Sequence, residues 1–319
     1  MTLISMLIAL IVERLAVRSD AWQFWPYARK YLSFSRTSAI ARLASHPQGQ
    51  YLWLVLPGLL YALLLWLIDS GLVSLVLNTL VLLVCIGCWH YRQQYKHYLN
   101  ATERGDNEAA FLTMQQISKD AGLTEQELSY GQRLVWLNFR YYAAVLFWFA
   151  LFGGAGALTY ALLRQLSEPV LWQADAETAV TETELVAVEE GTETYQAQQA
   201  EVDPDAESNA APASQWLDDL QPLQRLMFWA DWLPARIFGL GLALVGHFSR
   251  ASAALIGFFA NTHAPASTVI TTVAKAAEPL PEDSYNCSEE TACMVQLSKR
   301  NVLFFLALVA VLTLSGWVR

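Results

Sequence analysis

The chain has 319 residues, of which 55% are hydrophobic and 15% are charged, against about 25% charged residues in ordinary soluble domains. Its formal net charge is −9, and the eleven acidic residues between positions 175 and 207 outweigh that total. Because the rest of the chain is close to neutral, the charge balance argues against a nucleic-acid partner.

Six apolar segments follow one another along the chain. They are 1–17, 51–69, 72–89, 141–163, 226–248 and 302–318. A bilayer core of roughly 30 Å is crossed by about 20 residues of helix, and Trp or Tyr stands at several of the segment ends, as is typical of membrane interfaces. The pattern predicts an all-α, polytopic membrane protein with four to six membrane helices and the lipid bilayer as its surroundings.

Turn and small residues punctuate these segments. Residues 69–71, Asp-Ser-Gly, predict a tight turn between the second and third segments. Residues 153–156, Gly-Gly-Ala-Gly, lie in the middle of the fourth segment. Such small residues favour either a close contact between helices or the bend of a re-entrant hairpin.

Three regions follow from this pattern. Residues 1–164 form a membrane region that includes a cytoplasmic helical pair over 90–140. Residues 165–224 contain no Lys or Arg and too few large apolar residues to fold, so they predict a disordered acidic loop. Residues 225–319 form a membrane-associated region with a Pro-Ala-Arg element and a final membrane helix.

Within the helical pair, the sequence predicts where the helices begin and end. Asp106 suits the N-cap of a helix that runs to Asp120, and Gly122 suits the C′ position after it. Residues 124–127, Thr-Glu-Gln-Glu, predict a capping box for the next helix, which continues into the fourth apolar segment.

The distribution of basic residues predicts the orientation. The loops 18–42, 92–140 and 250–300 contain five, six and four Lys or Arg residues, whereas the acidic loop contains none. By the positive-inside rule, these three loops are cytoplasmic if all six segments cross the membrane.

Charged residues inside apolar segments are the main candidates for function, because a charge in the membrane is costly to keep. Glu13 and Arg14 are either a self-neutralising pair or part of a polar lining. Asp231 and Arg236 flank Pro234, and they either satisfy one another across a kink or line a cavity. The candidate polar cavity comprises Glu13, Arg14, Asn138, Arg140, Asp231, Pro234 and Arg236.

No motif points to catalysis, a cofactor or a metal. The chain has no phosphate-binding GxxxxGK[ST] loop, no HExxH, no GxSxG and no Cys/His zinc pattern. We therefore predict no catalytic residue, no cofactor and no metal ligand.

Several short stretches resemble the AmpE family of inner-membrane proteins associated with β-lactamase induction. They are the N-terminal Met-Thr-Leu, Glu13-Arg14-Leu15, residues 137–142, residues 231–236 and Gly246-His247. The resemblance fails over residues 168–213, which look like an insertion. It implies a bacterial inner-membrane protein with a regulatory or sensory role, whose partner is a small anionic ligand or a signalling protein.

The AmpE-like stretches in turn resemble the CobD/CbiB membrane synthases of the cobalamin pathway, over residues 146–160 and 234–236. The acidic motifs of those synthases are missing here: residues 162–167 read Leu-Leu-Arg-Gln-Leu-Ser, and Met227-Phe228 replaces an Asp-Asp pair. The resemblance thus implies a retained scaffold without catalysis. Two alternatives stay open, a diverged amide ligase and a carrier of an anionic cell-wall fragment.

Overall fold

The fold is described from a computed structural model over residues 2–15, 22–37, 49–87, 89–123, 127–167, 221–280 and 287–316. These residues form helices and no strand. The helices are α1 Thr2–Leu15, α2 Phe24–Thr37, α3 Gly49–Ile68, α4 Gly71–Cys85, α5 Trp89–Glu103, α6 Asn107–Asp120, α7 Tyr130–Asn138, α8 Ala144–Leu166, α9 Gln221–Val245, α10 Phe248–Ala260, α11 Ala266–Ala277 and α12 Ser288–Leu314. A π-helical turn, Phe139–Ala143, joins α7 to α8.

Within the described ranges, four helical stretches are long and apolar enough to cross a membrane. They are Gly49–Ile68, Tyr130–Leu166, Pro222–Val245 and Ser288–Leu314. Helices α4 and α5 become a fifth if the pair, bent by 50°, is one span. The 14 residues of α1 extend only about 21 Å, which is short of the hydrocarbon core. The prediction of a polytopic helical membrane protein with four to six spans is confirmed.

The predicted segment boundaries need correction at three places. Helix α9 begins at Gln221, five residues before the predicted segment 226–248, and it is continuous through Asp231, Pro234 and Arg236. Helix α12 begins at Ser288, 14 residues before the predicted start at Val302. Helices α8 and α9 also extend into both ends of the predicted acidic loop; residues 168–220 of that loop lie outside the described residues.

The first helix of the predicted helical pair, α6, forms as predicted. Asp106 is the N-cap of α6, and its carboxylate accepts a hydrogen bond from the Ala109 backbone N–H. Gly122 has a φ of 66° just after the helix, a conformation that suits glycine. Asp120 lies at the end of α6 and accepts hydrogen bonds from Gln94 and Gln116, with His90 Nε2 2.8 Å from its carboxylate. This cluster fastens α5 to α6.

The capping box predicted at Thr124–Glu127 falls on residues 124–126, which lie outside the described residues, and on Glu127, which is not helical. The box is formed five residues later by Ser129 and Gln132, which bond to each other's backbone N–H. Tertiary contacts select this start: the Ser129 hydroxyl also donates to the Glu290 carboxylate, and the Gln132 amide donates to the Thr271 carbonyl. Local sequence carries no information about either partner.

Helix α8 lies at the centre of the N-terminal half, where it packs against α3 and α4. A Cβ on Gly58 of α3 would lie 2.5 Å from Thr159 Oγ1 and 2.8 Å from the Ala155 carbonyl oxygen, so glycine permits this close approach. The predicted helix contact at residues 153–156 is therefore present.

A kink accompanies that contact. Gly153 has φ 62° and ψ −151°, which interrupts the helical geometry within α8. The Gly154 N–H donates to Asn78 Oδ1, which also accepts from the Tyr61 hydroxyl. A polar side chain of α4 thus satisfies a backbone donor at the kink, as a buried helix break requires.

The C-terminal half is a second packed group, in which α9 contacts α10, α11 and α12, and α7 packs against α11 and α12. Asn301 of α12 is buried and donates to the Phe238 carbonyl of α9. Helices α8 and α9 contact each other and connect the two halves.

Candidate functional site

The π-helical turn opens α8 and determines what faces the interior there. Its wider loop is closed by the Ala144 N–H donating to the Phe139 carbonyl, five residues earlier. Tyr141 is buried, and Arg140 and Tyr142 are partly buried. A π turn changes the face on which the following side chains lie, and such turns are frequent at functional sites.

A cavity of about 520 Å³ lies beside this turn, among α1, α5, α7 and α12. Its polar lining consists of Glu13, Arg14, Tyr91, Arg92, Tyr95, Asn138, Tyr141, Tyr142, Ser298 and Lys299. Its apolar lining consists of Leu7, Leu10, Ile11, Leu134, Leu137, Val295, Val302, Leu303 and Leu306. The volume falls in the range of small-molecule sites, roughly 300–1,000 Å³.

Glu13, Arg92 and Tyr142 meet in the wall of this cavity, and we call them the Glu13 junction. Arg92 Nη1 lies 2.9 Å from Glu13 Oε1, and the Tyr142 hydroxyl donates to the same oxygen at 2.8 Å. The Glu13 side chain is only 5% exposed, whereas that of Arg92 is 42% exposed. The junction therefore ties α1 to α5 and to the π turn through one buried carboxylate with a half-exposed partner.

A second polar cluster lies between α8 and α9. The Tyr160 hydroxyl donates to Asp231 Oδ1 at 2.7 Å, and both residues are buried. The charges of Arg140 and Arg164 also act on Tyr160. The two halves of the protein are thus joined by a buried carboxylate and a buried phenol.

Arg164 is 1% exposed and lies over the Tyr141 ring, with Cζ 4.1 Å from the ring centroid. Its guanidinium donates to the backbone carbonyls of Arg140 and Cys85. An aromatic face and carbonyl oxygens thus stabilise this buried cation.

Arg236 has the same kind of environment in the C-terminal half. Its Cζ lies 3.9 Å from the Trp232 ring centroid, and its two terminal nitrogens donate to the carbonyls of Trp232, Phe258 and Asn261. Phe258 and Asn261 lie at the end of α10, where unpaired carbonyls and the helix dipole favour a cation. We call this arrangement the Arg236 cap.

Pro234 acts through the carbonyl that it frees. Proline lacks the N–H that would bond the carbonyl four residues earlier, at Ala230. The Trp148 indole of α8 donates to that carbonyl at 3.2 Å. Pro57 of α3 has an equivalent contact. It frees the Trp53 carbonyl, which accepts a hydrogen bond from the Tyr31 hydroxyl at 2.8 Å. Pro234 thus contributes to the contact between α8 and α9.

The structure brings together three of the seven predicted residues at the cavity: Glu13, Arg14 and Asn138. Asp231 lies in the Tyr160 cluster, where the charge of Arg140 also acts. Arg236 bonds carbonyls, so it and Asp231 do not satisfy one another as the sequence alternative supposed.

Sequence reasoning missed five residues that complete these sites: Arg92, Tyr142, Tyr160, Arg164 and Lys299. The signal for Arg92 and Arg164 was available, because each is the first basic residue after an uncharged apolar run. Lys299 lies just before such a run. Nothing in the sequence singled out the two tyrosines among the 13 in the chain.

No group of three His, Cys, Asp or Glu side chains within the described ranges has a geometry that could hold a metal ion. The acidic side chains of the two clusters are Glu13 and Asp231, and each is hydrogen-bonded to a tyrosine hydroxyl.

The chain matches known proteins over nearly its whole length. The family described as "Regulatory signalling modulator protein AmpE" matches residues 1–185 and 213–318. Protein AmpE of Shigella flexneri is 26% identical over 339 residues, and the match covers 99% of each chain. No solved structure matches the chain significantly.

The family match extends over nearly the whole chain and includes the Glu13 junction, the Tyr160–Asp231 contact and the Arg236 cap. It is interrupted at residues 186–212, inside the stretch where the sequence resemblance fails. The chain belongs to the AmpE family of regulatory signalling modulator proteins.

Proposed function

We propose that the protein is a non-catalytic regulator of cell-wall-linked β-lactamase induction in the bacterial inner membrane, and that the cavity at the Glu13 junction is its sensing element. The observation that carries the proposal is the junction itself. One buried carboxylate in a cavity wall holds three elements together through Arg92 and Tyr142.

This geometry couples occupancy of the cavity to helix position. A ligand that binds Arg92 competes with Glu13 for the guanidinium and loosens the contact between α1 and α5. Ligand binding shifts a protein between two arrangements only if its affinity for them differs. A ligand that replaces one side of an ion pair makes such a difference, because the pair exists in one arrangement only.

The direct test is an induction assay in a host that lacks its own AmpE. Glu13→Gln keeps the acceptor for Tyr142 but removes the charge that holds Arg92, so we expect β-lactamase induction to lose its dependence on this protein. Glu103→Gln is the matched control, because Glu103 is exposed and lies outside the cavity. Equal induction by the wild type and Glu13→Gln, at equal protein amounts, contradicts the proposal.

The orientation is part of the same proposal, since a cytoplasmic 90–140 region would place the basic end of the cavity at the cytoplasmic face. A cysteine at Asn107, the first residue of α6, should resist an impermeant thiol reagent in intact cells and react in opened cells. The wild type, with four native cysteines, gives the background. Labelling of Asn107→Cys in intact cells would show that the orientation is the opposite of the one proposed.

The proposed lack of catalytic activity is tested separately. The acidic motifs of the CobD/CbiB synthases, which would hold Mg²⁺ against a phosphate, are absent from the corresponding stretches of this sequence. Calorimetry on the purified protein should give no heat of specific Mg²⁺·ATP binding. Micromolar affinity would favour the amide-ligase alternative.

A further inference from the structure

The cavity has a charged end and an apolar end. Along α1 the lining residues run from Leu7, Leu10 and Ile11 to Arg14, and along α12 they run from Lys299 to Leu306. The order is reversed between these two contacting helices, and this is the order that places the cations at one end and the leucines at the other in an antiparallel pair. With Arg92 and Glu13, the charged end has a net charge of +2.

The apolar end faces the bilayer side of the protein. Ile11 is 56% exposed and Leu303 is 65% exposed, although both are large hydrophobic residues that line the cavity. Leu303 also lies within the apolar span of α12. Apolar side chains exposed on a membrane helix contact lipid, so an acyl chain can reach the cavity laterally from the bilayer.

The cavity lining contains an acceptor that has no donor within the described ranges. Asn138 Oδ1 is buried and has no hydrogen-bond partner among the described residues. Buried polar atoms are normally hydrogen-bonded. A ligand with a hydroxyl or a protonated phosphate oxygen next to its negative charge supplies that donor, while its anionic oxygens bind Arg14, Arg92 and Lys299.

We propose that the cavity binds a phosphate-headed lipid, with its phosphate at Arg14, Arg92 and Lys299 and an acyl chain along Leu7, Ile11, Val302 and Leu306. This inference names the ligand class of the sensing element and rests on the proposed function only for that role. A phosphate monoester carries about −1.5 to −2 charges near neutral pH, which is close to the opposite of +2, and its singly protonated form also offers the donor for Asn138 Oδ1. A carboxylate carries a charge of only −1.

The probe is dioleoyl phosphatidic acid, titrated against the purified full chain in a neutral detergent and followed by native mass spectrometry. We expect one bound molecule per chain, with an affinity at least about tenfold above that of dioleoylglycerol, which lacks the phosphate. Oleic acid, which offers a carboxylate on the same acyl chain, should also bind about tenfold more weakly. Equal retention of the three lipids overturns the proposal.

Two paired variants locate the site. Arg14→Gln with Lys299→Gln removes two of the three cations and leaves the Glu13 junction intact, so phosphatidic acid should bind about tenfold more weakly or worse. Lys96→Gln with Arg104→Gln makes the same charge change on exposed residues outside the cavity and should bind as the wild type does. An equal loss in both pairs means that the lipid binds by general charge attraction, and it overturns the proposal.

A soluble phosphate is distinguished from a lipid by competition. Glycerol 3-phosphate carries the headgroup without the chains, and it should not displace phosphatidic acid at equal concentration. Displacement would assign the cavity to a soluble phosphate and overturn the lipid assignment.

The binding experiments contain no β-lactamase, so they fail independently of the proposed function. If Glu13→Gln shows normal induction and the protein binds the lipid specifically, the proposed regulatory role is wrong and the ligand assignment stands. If Glu13→Gln loses induction but the protein binds no lipid, the ligand assignment is wrong and the proposed regulatory role stands.

Discussion

The Glu13 junction and the Arg236 cap begin from the same sequence signal, a charge inside an apolar helix, and they end as different kinds of site. Glu13 has a charged partner that is half exposed in a cavity wall, so its contact can be exchanged for another. Arg236 has no carboxylate partner among the described residues and is enclosed by three carbonyls and an indole ring.

This difference separates the proposed functional site from a structural one. An intramembrane charge suggests function by default, but the Arg236 cap shows a second use, the satisfaction of carbonyls at a helix end inside the protein. Arg164 repeats it with the Tyr141 ring and two carbonyls. What distinguishes the Glu13 junction is the adjacent cavity and the exposure of one partner.

The largest loss of stability is expected at the Arg236 cap. Arg236→Ala leaves the Phe258 and Asn261 carbonyls without the donor that they have in the structure, and should lower the free energy of unfolding by about 3 kcal/mol. Equilibrium unfolding in mixed micelles, followed by Trp fluorescence, measures this. Arg225→Ala, an exposed arginine on the same helix, is the control. If the two variants are equally stable, the contacts of Arg236 with these carbonyls do not contribute to the free energy of unfolding.

The energetic independence of Asp231 and Arg236 can be tested in the same assay. Because their partners differ, the effects of Asp231→Asn and Arg236→Gln on the free energy of unfolding should add to within about 0.5 kcal/mol in the double variant. A double variant markedly more stable than that sum would show that the two charges neutralise each other after all.

Tyr160→Phe should have the next largest effect. It removes the donor to the buried Asp231 carboxylate, and a hydrogen bond to a charged group contributes about 2 kcal/mol. Tyr51→Phe, at an exposed tyrosine of α3, is the matched control, and it should change the free energy of unfolding by less than about 0.5 kcal/mol. A Tyr160→Phe protein as stable as this control would mean that Asp231 does not need the phenol.

Glu13→Gln should cost less than about 1 kcal/mol, because Arg92 remains 42% exposed and is hydrated when its partner is neutral. The same variant is expected to impair induction. The contrast with Arg236→Ala is the sharpest form of the comparison: function lost with stability kept at one site, and stability lost at the other. A strongly destabilised Glu13→Gln protein would make the junction structural.

The smallest effect is expected at Asp120, outside the membrane spans. Burial raises the pKa of this carboxyl, but hydrogen bonds from His90, Gln94 and Gln116 outweigh burial, so its folded pKa lies below the ordinary value. A lowered pKa contributes stability above the unfolded value of about 3.9, and the contribution is lost as pH falls through the folded pKa. Unfolding measured between pH 7 and pH 3 should therefore be less pH-dependent below pH 4 in Asp120→Asn. Identical profiles for wild type and variant would contradict it.

The sequence by itself determined the membrane class, because a run of uncharged apolar residues has one stable environment. It also determined features set by neighbours in the chain: the Asp106 cap, the Gly122 end of α6 and the need for a donor at the Ala230 carbonyl before Pro234. Each depends on backbone geometry within four residues.

Only the tertiary structure decided which donor reaches that carbonyl, Trp148, and which residues start α7. It also placed Glu13 with Arg92 and Asp231 with Tyr160, partners that lie 79 and 71 positions apart in sequence. Such pairings depend on how whole helices pack, and a single sequence does not encode that locally. The cavity arises in the same way, because its charged and apolar ends exist only once α1 and α12 lie side by side.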